Sequence, residues 1–129
     1  DEDSNIFVSG EKCTVEIALK ANDTVEDITV GILIRDRFGQ DIFGTNTYHL
    51  KLPISLKAGE RCVVRYVMDE FNLGSGKYTL NPAVHRDDTH VDECYQWVDV
   101  IKTFEVIEGN DFRFIGFSRL KPQVHLEIH

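Results

Sequence analysis

Ile28-Thr29-Val30-Gly31-Ile32-Leu33-Ile34-Arg35-Asp36-Arg37-Phe38-Gly39-Gln40-Asp41-Ile42-Phe43-Gly44-Thr45-Asn46-Thr47 carries two extended segments and the turn between them. Ile28, Val30, Ile32 and Ile34 alternate with Thr29, Gly31, Leu33 and Arg35. A period of two with β-branched residues on one side is the pattern of a strand with one buried face. The charged run 36–41 reads as a turn, with Gly39 where a positive φ is needed. Ile42-Phe43 restarts the extended chain. Gly44-Thr45-Asn46-Thr47 then interrupts the side-chain pattern, as a bulge or a close backbone approach does.

The same alternation recurs on either side. Residues 13–20 read as a strand with Cys13, Val15, Ile17 and Leu19 inward; residues 6–8 precede them as a short edge strand. Downstream, Cys62, Val64, Tyr66 and Met68 share one face of 61–69, and Tyr78, Leu80 and Val84 share one face of 77–86. The segment 48–56 reads as extended, with Pro53 at an edge or strand end. The segment 94–107 reads as one long extended run, bent near Asp99, with Phe104 and Val106 inward. No stretch has helical periodicity, so the expected class is all-β, an antiparallel β-sandwich.

Size and composition fit that class. A chain of 129 residues, 42% hydrophobic and 28% charged, suits one globular domain with a real core. No run approaches the ~20 apolar residues of a membrane-spanning helix. No signal peptide is visible, and a chain starting at Asp1 reads as a fragment or a processed form. The net charge of −8 argues against nucleic acid as a partner, since phosphate backbones reward basic surfaces. Cys13, Cys62 and Cys94 are odd in number and lack C-x-x-C spacing, which disfavours zinc and a disulfide framework. They read as free thiols in a reducing compartment.

Few constellations suggest chemistry. Leu73-Gly74-Ser75-Gly76-Lys77-Tyr78-Thr79 superficially resembles a phosphate loop. Tyr78 stands where the loop needs Ser or Thr, and a strand follows where the loop needs a helix. The 85–93 stretch is dense in His and acidic residues and reads as a solvated loop, a sugar or partner contact, or a metal site without any recognised spacing. No nucleophile elbow and no zincin motif is present, so no catalytic residue is expected, and no cofactor or metal.

A binding face is the more productive reading. If 28–35, 77–86 and 94–107 lie in one sheet, their outward residues converge. Arg35, Thr79, Asn81, His85, Trp97 and Asp99 are then candidate carbohydrate contacts, beside Leu33, Ala83 and Ile101. Sugars are held by such mixtures, an aromatic ring under the C–H face and amides, carboxylates and arginine on the hydroxyls. The plain alternative is an ordinary solvent face with one Trp at its rim.

Several phrases resemble a known family. Ile34-Arg35-Asp36, Gly39, Ile42-Phe43-Gly44-Thr45-Asn46-Thr47, Leu73-Gly74-Ser75-Gly76-Lys77-Tyr78 and Phe104-Glu105-Val106 follow, in order, the pattern of the C-terminal carbohydrate-binding domain of Wzt, the ATPase subunit of O-antigen polysaccharide ABC exporters. The resemblance implies an immunoglobulin-like β-sandwich and a non-enzymatic role. The domain would recognise O-antigen polysaccharide at its modified non-reducing end and so license export across the inner membrane. It also implies an ATPase domain in the same chain, a membrane permease as partner, and a cytoplasmic place at the inner face of the bacterial inner membrane. Residues 1–129 would form one domain, with 110–129 a terminal strand segment exchanged in a homodimer. That exchange would give Val124, Leu126 and Ile128, which alternate with His125, Glu127 and His129, a partner. The competing expectations are an immunoglobulin-like protein-interaction module that binds no glycan, and a small glycan-active enzyme.

Overall fold

A computed structural model of the chain describes residues 4–86 and 95–129. Among these residues nine strands follow in order: β1 (Ser4–Val8), β2 (Cys13–Ala21), β3 (Val25–Asp36), β4 (Asp41–Asn46), β5 (Ile54–Leu56), β6 (Arg61–Met68), β7 (Gly76–His85), β8 (Tyr95–Val100) and β9 (Thr103–Ile107). They form two sheets. One has the order β1-β9-β7-β3-β4, with β5 added to β3; the other has the order β6-β2-β8. The expected all-β sandwich is therefore the observed architecture. One pair departs from antiparallel pairing: β1 runs parallel to β9 at the sheet edge.

The core lies between the sheets and is made by the alternation already visible in the sequence. Ile17 and Leu19 of β2 and Val64 and Tyr66 of β6 meet Val30, Ile32 and Ile34 of β3 and Leu80 and Val84 of β7. At one end the aromatic rings take over. Phe104 packs edge-on to Phe7 with centroids 5.5 Å apart and stacks on Tyr78 at 5.4 Å. The Tyr78 hydroxyl donates to Gly74 O at 2.7 Å. Burial pushes the Tyr66 and Tyr78 phenols up, and the nearby Asp36 carboxylate adds to the shift of Tyr78. Cys13 is buried and Cys62 half-buried; both are free, and burial pushes the Cys13 thiol up to about 11.

The 36–41 turn is built as its residues suggest. Gly39 has φ +81°. Asp36 Oδ1 accepts from the N–H groups of Phe38 and Gln40, each at 2.9 Å, which fixes the turn from within. The run 73–76 is a connection leading into β7, not a phosphate loop.

Two expectations need correction. The segment 94–107 is not one strand of one sheet. It breaks at Ile101-Lys102: β9 pairs with β7, whereas β8 crosses to the other sheet and pairs with β2. Pairing of β7 with β9 ends at Thr79 and a last bond from Leu80 N to Lys102 O. Among the described residues, the rest of β7 has a strand neighbour only on its β3 side. Pro82 sits there, where a missing N–H is tolerated. The segment 48–56 is also not continuous strand; hydrogen-bonded turns occupy 47–51 and only 54–56 pairs, with β3.

The ordered chain also continues past Gly109-Asn110. Gly74 N donates to Phe117 O, Leu73 bridges Ser118, and Arg119 reaches Asp111 and Asn72. A Cβ on Gly74 would lie 1.8 Å from Gly116 O, so only glycine permits this approach. No strand forms after 107 among the described residues, and Val124, Leu126 and Ile128 are exposed. The 87–93 acidic loop and Cys94 lie outside the described residues.

Candidate functional site

Strands β4, β3 and β7 lie side by side and present one face outward. Register sets the rows: Gly44 beside Leu33 beside Asn81, then Asn46 beside Gly31 beside Ala83. Arg35 lies opposite Thr79, and Thr29 opposite His85. Three of the central positions, Gly31, Gly44 and Ala83, have little or no side chain. The result is a flat floor with amides and imidazoles around it. It forms a groove of about 270 Å3, bordered by Leu33, Asn46, His49, Asn81 and His85.

The two glycines also sit where β4 packs tightly on β3. A Cβ on Gly31 would lie 3.1 Å from Asn46 Cβ, and one on Gly44 3.1 Å from Leu33 Cδ1. The close approach expected at Gly44 is therefore present. Asn46 and Thr47 hold backbone: Asn46 Oδ1 accepts from His49 N at 2.7 Å, and Thr47 Oγ1 accepts from Val30 N at 2.9 Å.

The structure brings together four of the six candidate contacts. Arg35, Thr79, Asn81 and His85 share the outward face. Arg35 Nε donates to Asp41 Oδ1 at 2.8 Å, so its guanidinium is already engaged at the floor's edge. The Asn81 amide reaches Leu33 O at 3.4 Å.

The remaining two do not join them, because β8 belongs to the other sheet. Trp97 lies opposite Leu19, half-buried against the core and edge-on to Tyr95 at 5.2 Å. It still borders a separate groove of about 380 Å3 with Thr79, Asn81 and Pro82, beside the edge of β7 that has no strand neighbour among the described residues. Asp99 lies opposite Ala18 and is exposed on the outer face of the second sheet, across the sandwich from Asn81. Gly31, Asn46 and His49 of the floor and its rim were not among the sequence candidates. Glycine inside an otherwise apolar strand was the available signal for the first.

This arrangement can place hydrogen bonds on hydroxyls around a flat ring. Among the described residues no group of three or more His, Cys, Asp or Glu side chains is placed to hold a metal. Among the described residues no helix is long and apolar enough to cross a membrane.

Comparison with known proteins decides the family. The model of the Wzt C-terminal domain matches residues 1–120. The chain belongs to the Wzt C-terminal domain family. A crystal structure of the C-terminal domain of Wzt shares the fold, with a TM-score of 0.73 over 94% of this chain and 73% of that one, at 17% identity. No curated protein matches the sequence. At the level of the Wzt C-terminal domain family, membership supports a non-catalytic carbohydrate-binding role in O-antigen ABC export.

Proposed function

We propose that this domain binds O-antigen polysaccharide at its modified non-reducing end and acts as the substrate-recognition domain of an ABC exporter. The observation that carries the reading is the glycine-floored face of β4-β3-β7. A pyranose laid on Gly31, Gly44 and Ala83 meets little side chain from below, with Leu33 beside it and Asn81, Asn46 and His85 at its rim. Amide and imidazole groups both donate and accept, as hydroxyls require. Trp97 borders the neighbouring groove and reports on its occupancy by fluorescence.

The family supports a wider setting for the domain. The domain works beside an ATPase domain of the same chain and a membrane permease, on the cytoplasmic side of the inner membrane. It pairs with a second copy by exchanging part of 110–129. Val124, Leu126 and Ile128 support this, being 92%, 83% and 86% exposed in the single chain. A strand from a second copy would cover such a ridge.

The test is affinity for the O-polysaccharide of the source strain. Asn81→Ala and His85→Ala remove exposed side chains, so the thermal midpoint stays within a few degrees while affinity falls by about tenfold each. Unchanged affinity in both variants would remove this face from consideration. An absence of binding by the unaltered protein would favour the protein-interaction module instead.

A further inference from the structure

The floor does not end at His49. The same imidazole lines a larger cleft of about 730 Å3, between the start of β3 and the 47–53 segment. That volume falls within the roughly 300–1,000 Å3 of typical ligand sites. The walls are mixed: Tyr48, His49 and Leu52 on one side, Asp27 and Thr29 on the other.

The 47–53 segment is held by backbone hydrogen bonds and yet presents rings to solvent. Leu52 N donates to Thr47 O at 2.8 Å, Leu50 N to Asn46 O at 3.1 Å, and Lys51 N to Tyr48 O at 3.1 Å. Lys51 sits at φ 60° and, across the cleft, Asp27 at φ 53°. Non-glycine residues hold such conformations where the surroundings impose them. Asp27 is fixed by its N–H donating to Ser55 Oγ at 3.1 Å. Tyr48 is 71% exposed, its ring edge-on to His49 at 5.9 Å. It contributes nothing to the core. A pre-organised, exposed aromatic beside hydrogen-bonding groups is a stacking platform available without reordering the loop.

We infer that this cleft is a second glycan subsite, in which Tyr48 stacks on a sugar internal to the chain while the terminal sugar lies on the Gly31–Gly44 floor. His49 stands at the junction of the two. Asp27 and Lys51 lie beside the stacked ring and bond its hydroxyls. The occupant is the same saccharide chain because cleft and floor share a wall. The inference rests on the glycan-binding reading above and lengthens its footprint.

Chain length separates the two. The probes are the source-strain O-polysaccharide and a short terminal oligosaccharide cut from it, large enough only for the floor. Tyr48→Ala should weaken the polysaccharide by about five- to tenfold and leave the short fragment unchanged, with the thermal midpoint preserved. Tyr48→Phe, which keeps the ring, should retain polysaccharide affinity. Full polysaccharide affinity in Tyr48→Ala, or an equal loss for both probes, would overturn the second subsite while leaving floor binding standing. Failure of the unaltered protein to bind either probe would overturn the glycan reading itself and this subsite with it.

Discussion

Val30 and Thr47 hold each other by two hydrogen bonds: the Val30 N–H donates to Thr47 Oγ1 at 2.9 Å, and the Thr47 N–H donates to Val30 O at 2.9 Å. The Tyr66 hydroxyl, from the other sheet, donates to the same carbonyl at 2.6 Å. One residue of β3 thus ties down the end of β4, the start of the 47–53 segment and the facing sheet. The floor and the cleft both hang from this junction.

Val30 is 0% exposed, and its two partners, Thr47 and Tyr66, are not equivalent. Thr47→Val leaves the Val30 N–H buried without that acceptor and should cost about 1–3 kcal/mol. Tyr66→Phe leaves the Val30 carbonyl still bonded to Thr47 N and should cost only about 0.5–1.5 kcal/mol. Urea denaturation of both variants checks the order. An equal or reversed cost would mean that Thr47 is not what fixes the junction.

Gly44 has a second role if the floor takes a sugar ring. In Gly44→Val the new Cβ presses on Leu33 Cδ1, the end of a flexible side chain, and the isopropyl group stands on the floor. Stability should fall by about 1–3 kcal/mol, the usual range for overpacking. Affinity for the polysaccharide should fall by more than tenfold, well beyond Asn81→Ala. Calorimetric titration of the folded variant measures it.

The docked tail should loosen in acid. Lys121, by hydrogen bond and charge, holds the Glu70 carboxyl below the usual range, with Asn72 and Arg119 helping. A carboxyl depressed in the folded state stabilises it at neutral pH, and that contribution fades as pH falls through its folded value, below the ordinary glutamate range. The protection factors of residues 116–121, which take out the intrinsic slowing of exchange at low pH, should therefore fall in acid. The pH response should shrink in Glu70→Gln and in high salt, since the pair is exposed. Exchange with the same pH response in Glu70→Gln would contradict this assignment.

Much of this is legible in the sequence. Ile28, Val30, Ile32 and Ile34 declare a buried face by alternation alone, and so do Tyr78, Leu80 and Val84. Alternation says which side a residue faces, not which sheet its strand joins. For that reason Thr79, Asn81 and His85 share one face with Arg35 as alternation implies, while the switch of sheets at Ile101-Lys102 carries Trp97 and Asp99 away from it. Nothing local marks that switch, because it depends on β2 having a free edge for β8. The 47–51 turns escaped for a related reason. They are held by long-range bonds from Thr47 to Val30, and the apolar Leu50 and Leu52 look like strand residues.

End recognition is the central claim, and one titration addresses it most directly. The protein is titrated with the source-strain O-polysaccharide, intact and with its non-reducing terminus trimmed, by calorimetry with Trp97 fluorescence in parallel. The account predicts saturable binding of the intact glycan and loss of most of that affinity on trimming. Equal affinity for the intact and trimmed glycans would contradict recognition of the end.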